Sequence, residues 1–124
     1  MPVPILAQAP YLIASVQSAL TDADLIGLQN GLLDQAKRRR CRGVVVDVTA
    51  LDVMDSFSTR TLQSLAAMLR LRGVETVIAG IQPNVAMAMV QLGLSMPDVR
   101  TALDLDEGLA YLQARPHGSA GRGQ

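Results

Sequence analysis

The sequence predicts a single α/β domain in which a mixed, mostly parallel sheet of about five strands is covered by about four helices. Three observations carry this expectation. Gly43 to Val48 (GVVVDV) is a β-branched run without alternation, the pattern of a strand covered on both faces. Around it, apolar residues recur at helical spacing in stretches that alternate with further short apolar runs. The chain has 124 residues, the length of one domain, and no internal repeat divides it. The domain is assigned to residues 1–115, and 116–124 (PHGSAGRGQ), small and polar, to a flexible C-terminal tail.

Each element has its own warrant. Residues 3–8 (VPILAQ) and 11–16 (YLIASV) are apolar-rich runs parted by Ala9 and Pro10, a spacing that suits two adjacent antiparallel strands. Pro4 sets the first of them near an edge. Thr21 or Asp22 can cap a helix that carries Leu25, Leu28, Leu32 and Ala36 at helical spacing until the basic run Lys37 to Arg40. Gly27 and Gly31 interrupt it, each costing about 1 kcal/mol relative to Ala. Gly43–Val48 is then the central strand. A second helix begins at Ser56, places Phe57, Leu62, Leu65, Met68 and Leu69 on its buried face and ends at Gly73. Residues 74–79 (VETVIA) form another strand. Pro83 fits the first turn of a third helix, with Val85, Met89 and Leu92 as its apolar positions and Gly93 as its C-terminal cap. Val99 to Leu103 is a short last strand, and Asp104 with Glu107 forms a capping box for a final helix through Leu109 and Leu112 that Pro116 stops.

Composition narrows the function. Eleven basic residues balance eleven acidic ones, so no long-range field draws the molecule to nucleic acid or to anionic lipid, and neither is expected as a partner. With no Trp, one Phe and two Tyr there is almost no stacking platform for bases. One His, His117 in the tail, and one Cys, Cys41, are too few for His-based acid/base catalysis or a clustered metal site, so neither an enzyme nor a bound metal or cofactor is expected. A single cysteine allows no internal disulfide, and no apolar stretch has the length of a membrane span, which points to the cytoplasm. Lys37 is the only lysine, so a phosphoaccepting receiver domain lacks its lysine near a late strand end, and no Gly-rich loop ending in Gly-Lys-Ser/Thr is present for nucleotide hydrolysis.

What chemistry remains lies where the central strand runs into the second helix, DVTALDVMDS (Asp47 to Ser56), because loops at strand C-termini are where open α/β sheets meet ligands and partners. Asp55 and Ser56 are both good helix-start residues, and one reading of the pair is a plain cap. The other makes Ser56 a phosphoacceptor: roughly 1.5 to 2 negative charges would face the positive end of a helix dipole, which tolerates them. Asp47, Asp52 and Asp55 would repel that charge and Arg60, one turn on, would partly neutralise it. Leu51, Met54 and Phe57 are expected to flank it as an apolar contact patch, where a phosphate dianion opposes docking.

The runs DVTALDVMDSFSTRTL, GVETVIAGIQPNVAMAMVQLGL and TALDLDEGLAYL, in this order, resemble the STAS domain, the fold of anti-sigma-factor antagonists, and within it the RsbS-type scaffolds of the stressosome. The resemblance covers about residues 3–113. It implies a non-enzymatic phosphoswitch that co-assembles with RsbR-type sensor paralogues into a large cytoplasmic complex and sequesters an RsbT-type serine kinase. Phosphorylation of the scaffold serine releases the kinase, and an RsbX-type phosphatase resets it. Carried over by motif position, that serine is Ser56, preceded by Asp55. Asp52, Met54, Phe57 and Arg60 complete the expected switch surface. Ala88 stands where the sensor paralogues carry a second phosphorylatable threonine, and no sensor domain precedes residue 3, both of which favour the scaffold. Ser58 and Thr59 depart from the apolar or small residues expected there and are further candidate phosphoacceptors.

Other features have two readings each. The cluster Lys37, Arg38, Arg39, Arg40 and Arg42 either complements a helix C-terminus or binds phosphate groups. Cys41 is either inert or, if exposed among these cations, a redox sensor. Met87, Met89 and Met96 fill the core or adapt to a neighbouring subunit. The alternative to a scaffold is a free STAS-type anti-anti-sigma antagonist, or a weak nucleotide- or ligand-binding module, acting as a monomer or dimer.

Overall fold

The computed structural model describes residues 3–17 and 20–116. Nine elements follow in the expected order: β1 (Ile5–Gln8), β2 (Tyr11–Ser15), α1 (Asp22–Arg39), β3 (Gly43–Asp47), α2 (Ser56–Leu71), β4 (Glu75–Ala79), α3 (Pro83–Gln91), β5 (Arg100–Ala102) and α4 (Leu105–Ala114). They build one sheet in the order β1-β2-β3-β4-β5. β1 pairs antiparallel with β2, Leu6 opposite Ile13, across a turn holding a cis Ala9–Pro10 bond. The pairs from β2 to β5 are parallel, with Val45 facing Ile13 on one side and Val77 on the other. The strand expected at the centre is at the centre.

Strand order dictates where the helices go. When each parallel strand lies beside its predecessor and every crossover has the same right hand, all the crossover helices fall on one face. Accordingly α1, α2 and α3 send Leu28, Leu32, Leu62, Leu65, Val85 and Met89 into a single core with Val44, Val46 and Val48. The opposite face is left to α4, whose Leu112 meets Val45, Val77 and Ala79. Two-sided cover explains the unbroken valines of β3, all of which are fully buried.

The caps also agree with the sequence. Thr21, not Asp22, caps α1: its hydroxyl accepts the Asp24 N–H at 3.0 Å and the Asp24 carboxylate accepts the Thr21 N–H at 3.1 Å. Asp104 caps α4 through the Glu107 N–H at 2.8 Å, but the box expected there does not close, because the Glu107 carboxylate accepts the Leu103 N–H at 2.7 Å instead of that of Asp104. Gly31, costly in a helix interior, is explained by a close approach, since a Cβ there would lie 3.0 Å from Ile5 Cδ1 of the edge strand.

Four apolar residues lie elsewhere than expected. Phe57 and Leu92 are exposed, whereas Leu51 and Met54 are buried. The buried face of α2 is Thr59, Leu62, Leu65, Ala66 and Leu69, and at 100° per residue Phe57 points about 140° away from Leu62. Leu92 lies past the end of α3, as its C-cap. The tail, beyond Pro116, and His117 with it, lies outside the described residues.

Candidate functional site

The site is the loop 48–55 and the start of α2, at the carboxyl ends of β3 and β4. Asp47, the last residue of β3, fixes how the loop leaves the sheet. Its carboxylate accepts the Thr49 backbone N–H at 3.0 Å and the Thr49 hydroxyl at 2.6 Å, the local turn that Asp makes with the residue two positions on. Gln82, the cap position of α3, donates its side-chain amide to the Thr49 carbonyl at 2.6 Å. Gly80 completes the junction: its φ is +83°, and a Cβ there would collide with the Thr49 hydroxyl. Only glycine lets β4 turn so close to the loop.

From there the loop folds inward. The Leu51 N–H donates to the Val48 carbonyl at 2.9 Å, and Leu51 and Met54 plug the end of the larger core. This corrects the expectation that both flank Ser56 at the surface, Met54 as part of the switch surface. A loop that must cover the open end of a sheet buries its apolar side chains there, and its polar ones go outward. Asp52, Val53 and Asp55 are exposed, Val53 at 70%. The apolar part of the site is therefore Val53 and Phe57.

Asp55 is the N-cap of α2, extended in backbone, with its carboxylate accepting the Ser58 N–H at 2.8 Å. That hydrogen bond holds the carboxyl below its usual range. Ser56 is left as the first helical residue, exposed to solvent, with the cap supplied by its neighbour. Arg60 is exposed one turn along. A groove of about 450 Å³ between α1 and α2 is lined by Gln29, Ser56, Phe57, Arg60, Thr61 and Ser64. Of the two further hydroxyls, Ser58 is half-buried, and Thr59 faces the core at 1% exposure with its hydroxyl unpartnered. A kinase cannot reach Thr59 in the folded chain.

The structure gathers Ser56, Phe57 and Arg60 at one groove, leaves Asp52 and Asp55 exposed on the loop that leads into it, and buries Met54 and Thr59. Val53 and the Thr49–Gly80–Gln82 junction went unread in the sequence. The Asp47-x-Thr49 turn could have been found from its local pattern, but the contact with Gly80 spans thirty residues of chain and has no local signal. Among the described residues no group of three His, Cys, Asp or Glu could hold a metal ion, and no helix is long and apolar enough to cross a membrane. Cys41 is buried, donates to the Gly43 carbonyl at 3.2 Å and has its thiol pKa raised by burial, against the reading as an exposed redox sensor.

With this strand order, three helices on one face and a solvent-facing serine beside a capping Asp at the carboxyl edge of the sheet, the chain is a small α/β domain whose exposed polar chemistry gathers at the start of α2. The chain belongs to the STAS domain family, whose model matches residues 4–108. It is 30% identical over 112 residues to the RsbT co-antagonist protein RsbRB of Bacillus subtilis, covering 90% of this chain and 40% of that protein. Among solved structures, a serine-to-glutamate variant of Moorella thermoacetica RsbS superposes with a TM-score of 0.78 at 33% identity, over 90% of this chain and 94% of that one. A chain from the molecular architecture of the stressosome, a signal integration and transduction hub, gives 0.74 at 34%, over 89% and 96%. The chain spans less than half the length of RsbRB, and matches the RsbS chain nearly end to end.

Proposed function

We propose that this chain is a non-enzymatic stressosome scaffold whose hold on an RsbT-type serine kinase is released when Ser56 is phosphorylated. The observation that carries the reading is the division of labour at the start of α2. Asp55 does the capping, so the Ser56 hydroxyl stays exposed and can be modified without uncapping the helix. A phosphate there sits at the positive end of the α2 dipole, which accommodates it, and next to Arg60. Beside it, Val53 and Phe57 form the apolar surface that a partner would cover. A dianion set into that surface opposes docking by desolvation and by repulsion of acidic groups on the partner.

The similarity to RsbRB and to RsbS supports assembly with copies of itself and with an RsbR-type sensor paralogue. An RsbX-type phosphatase would reverse the modification. Two measurements test the reading. Incubation with the cognate RsbT-type kinase, followed by peptide mass spectrometry, should place the phosphate on Ser56 and on no residue in Ser56→Ala; phosphate on Ser58 instead overturns the assignment. Light scattering of the chain mixed with its sensor paralogue should show a megadalton-scale particle, and a stable monomer in that mixture would favour the free antagonist.

A further inference from the structure

A second cavity, larger than the groove beside Ser56, lies away from that serine. It lies at the other end of α2, about 22 Å along a helix axis from Ser56 to Leu71, between the C-terminal turns of α1 and α2 and the starts of β3 and β4. It measures about 750 Å³. Its accessible apolar lining is Leu33 and Met68, over the buried Leu69 and Val74, and Lys37, Arg40 and Arg72 line it as well. The one acid that lines it, Asp34, is held by Arg38 in a two-point contact at 2.9 and 3.0 Å.

Neighbouring cations of the same run are occupied. Arg38 binds Asp34, and Arg39 donates to the Gln35 side chain at 3.3 Å. Lys37, Arg40 and Arg72, by contrast, make no side-chain hydrogen bond or ion pair among the described residues. Three unpaired cations thus converge on one cleft. Helix C-termini attract positive charge and explain some of it. They do not explain Arg40, the C-cap of α1, whose backbone is left-handed at φ 50° and ψ 47°. Glycine is favoured in that conformation and would close α1 with less strain. An arginine there keeps its side chain at the cleft at the cost of backbone strain, and strain of this kind collects at binding sites.

We infer that this cleft binds a small organic anion with an apolar body, its phosphate or carboxylate group held by Lys37, Arg40 and Arg72 and its body resting on Leu33 and Met68. Charge alone or apolar area alone would leave half of the cleft unmatched. The site is separate from Ser56, and its existence does not depend on phosphorylation.

The test uses the full chain and three probes. 1-Anilinonaphthalene-8-sulfonate carries both the anion and the apolar body, N-phenyl-1-naphthylamine the body without the charge, and inorganic pyrophosphate the charge without the body. The sulfonate should bind saturably at one site, more tightly than either of the others. Arg40→Gly and Arg72→Gln should each weaken it about tenfold, the loss of one charge-assisted contact, and leave the neutral probe unchanged. Because Arg40→Gly relieves a left-handed arginine, it should melt no lower than the parent, which separates loss of binding from loss of fold. Unchanged sulfonate binding in both variants would overturn the inference. So would its loss on Val90→Asn, which alters the exposed apolar face of α3 and not the cleft.

Discussion

The carboxylate of Asp55 accepts the backbone N–H of Ser58 at 2.8 Å, reaching past Ser56 and Phe57, the first two residues of α2. Capping and modification therefore fall to different residues. Asp55→Ala should lower stability by about 1 kcal/mol, the usual cost of a lost N-cap, whereas Ser56→Ala should change it by less than about 0.5 kcal/mol. Urea denaturation of the two variants checks this. Equal losses would mean that the two residues share the cap.

The same hydrogen bond makes stability depend on pH. The Asp55 pKa is lowered on folding, chiefly by the Ser58 N–H. A lowered carboxyl pKa contributes stability that is present above the unfolded-state value of about 3.9 and is lost as pH falls through the folded-state value. Asp55→Asn should therefore flatten the acid limb of the stability curve below about pH 4. A thermal-melt series from pH 7 down to pH 3, parent against variant, gives the comparison; parallel curves would mean that Asp55 is not linked to folding.

Thr59 carries a buried hydroxyl without a partner. Replacing it with the near-isosteric valine removes the unsatisfied group and keeps the volume, so Thr59→Val should be neutral or stabilising by up to about 1 kcal/mol. Phosphate incorporation at Ser56 should be unaffected. A marked destabilisation in denaturant would show that the hydroxyl has a partner in solution.

Gly80→Ala should be costly. It places a side chain at φ +83° and drives a methyl group into the Thr49 hydroxyl. A loss of about 2 kcal/mol is expected, shrinking when Thr49 is replaced by alanine, since the two positions are in contact. The double-mutant cycle measures the coupling, and strict additivity would dissociate Gly80 from the loop.

Most of the fold can be read along the chain because its signals are local. The valine run of β3, the N-caps at Thr21 and Asp104 and the helical spacing of Leu25, Leu28 and Leu32 each act within a few residues, and each stands where it is expected. The sides of the switch loop are not legible in this way. Leu51, Met54 and Phe57 are all apolar and all near Ser56 in sequence, but which of them turns inward depends on the open end of a core built from α1, α2 and α3. Phe57 is outward because the phase of α2 is set by Leu62, Leu65 and Leu69, further along. Arg40 offers no local sign of its left-handed backbone, since a basic residue at a helix end is ordinary. The junction of Thr49 with Gly80 exists only once β3 and β4 lie side by side.

The sequential strand order leaves two edges, and both are short: four residues in β1, just after Pro4, and three in β5. Neither exposes enough unpaired backbone to template another chain, so copies cannot readily add to one another by extending the sheet into a fibre. In the assembly proposed above, contacts between subunits would then fall to side-chain surfaces of helices and loops. Surfaces of that kind can meet at fixed angles and close on themselves, giving a particle of limited size instead of an endless polymer.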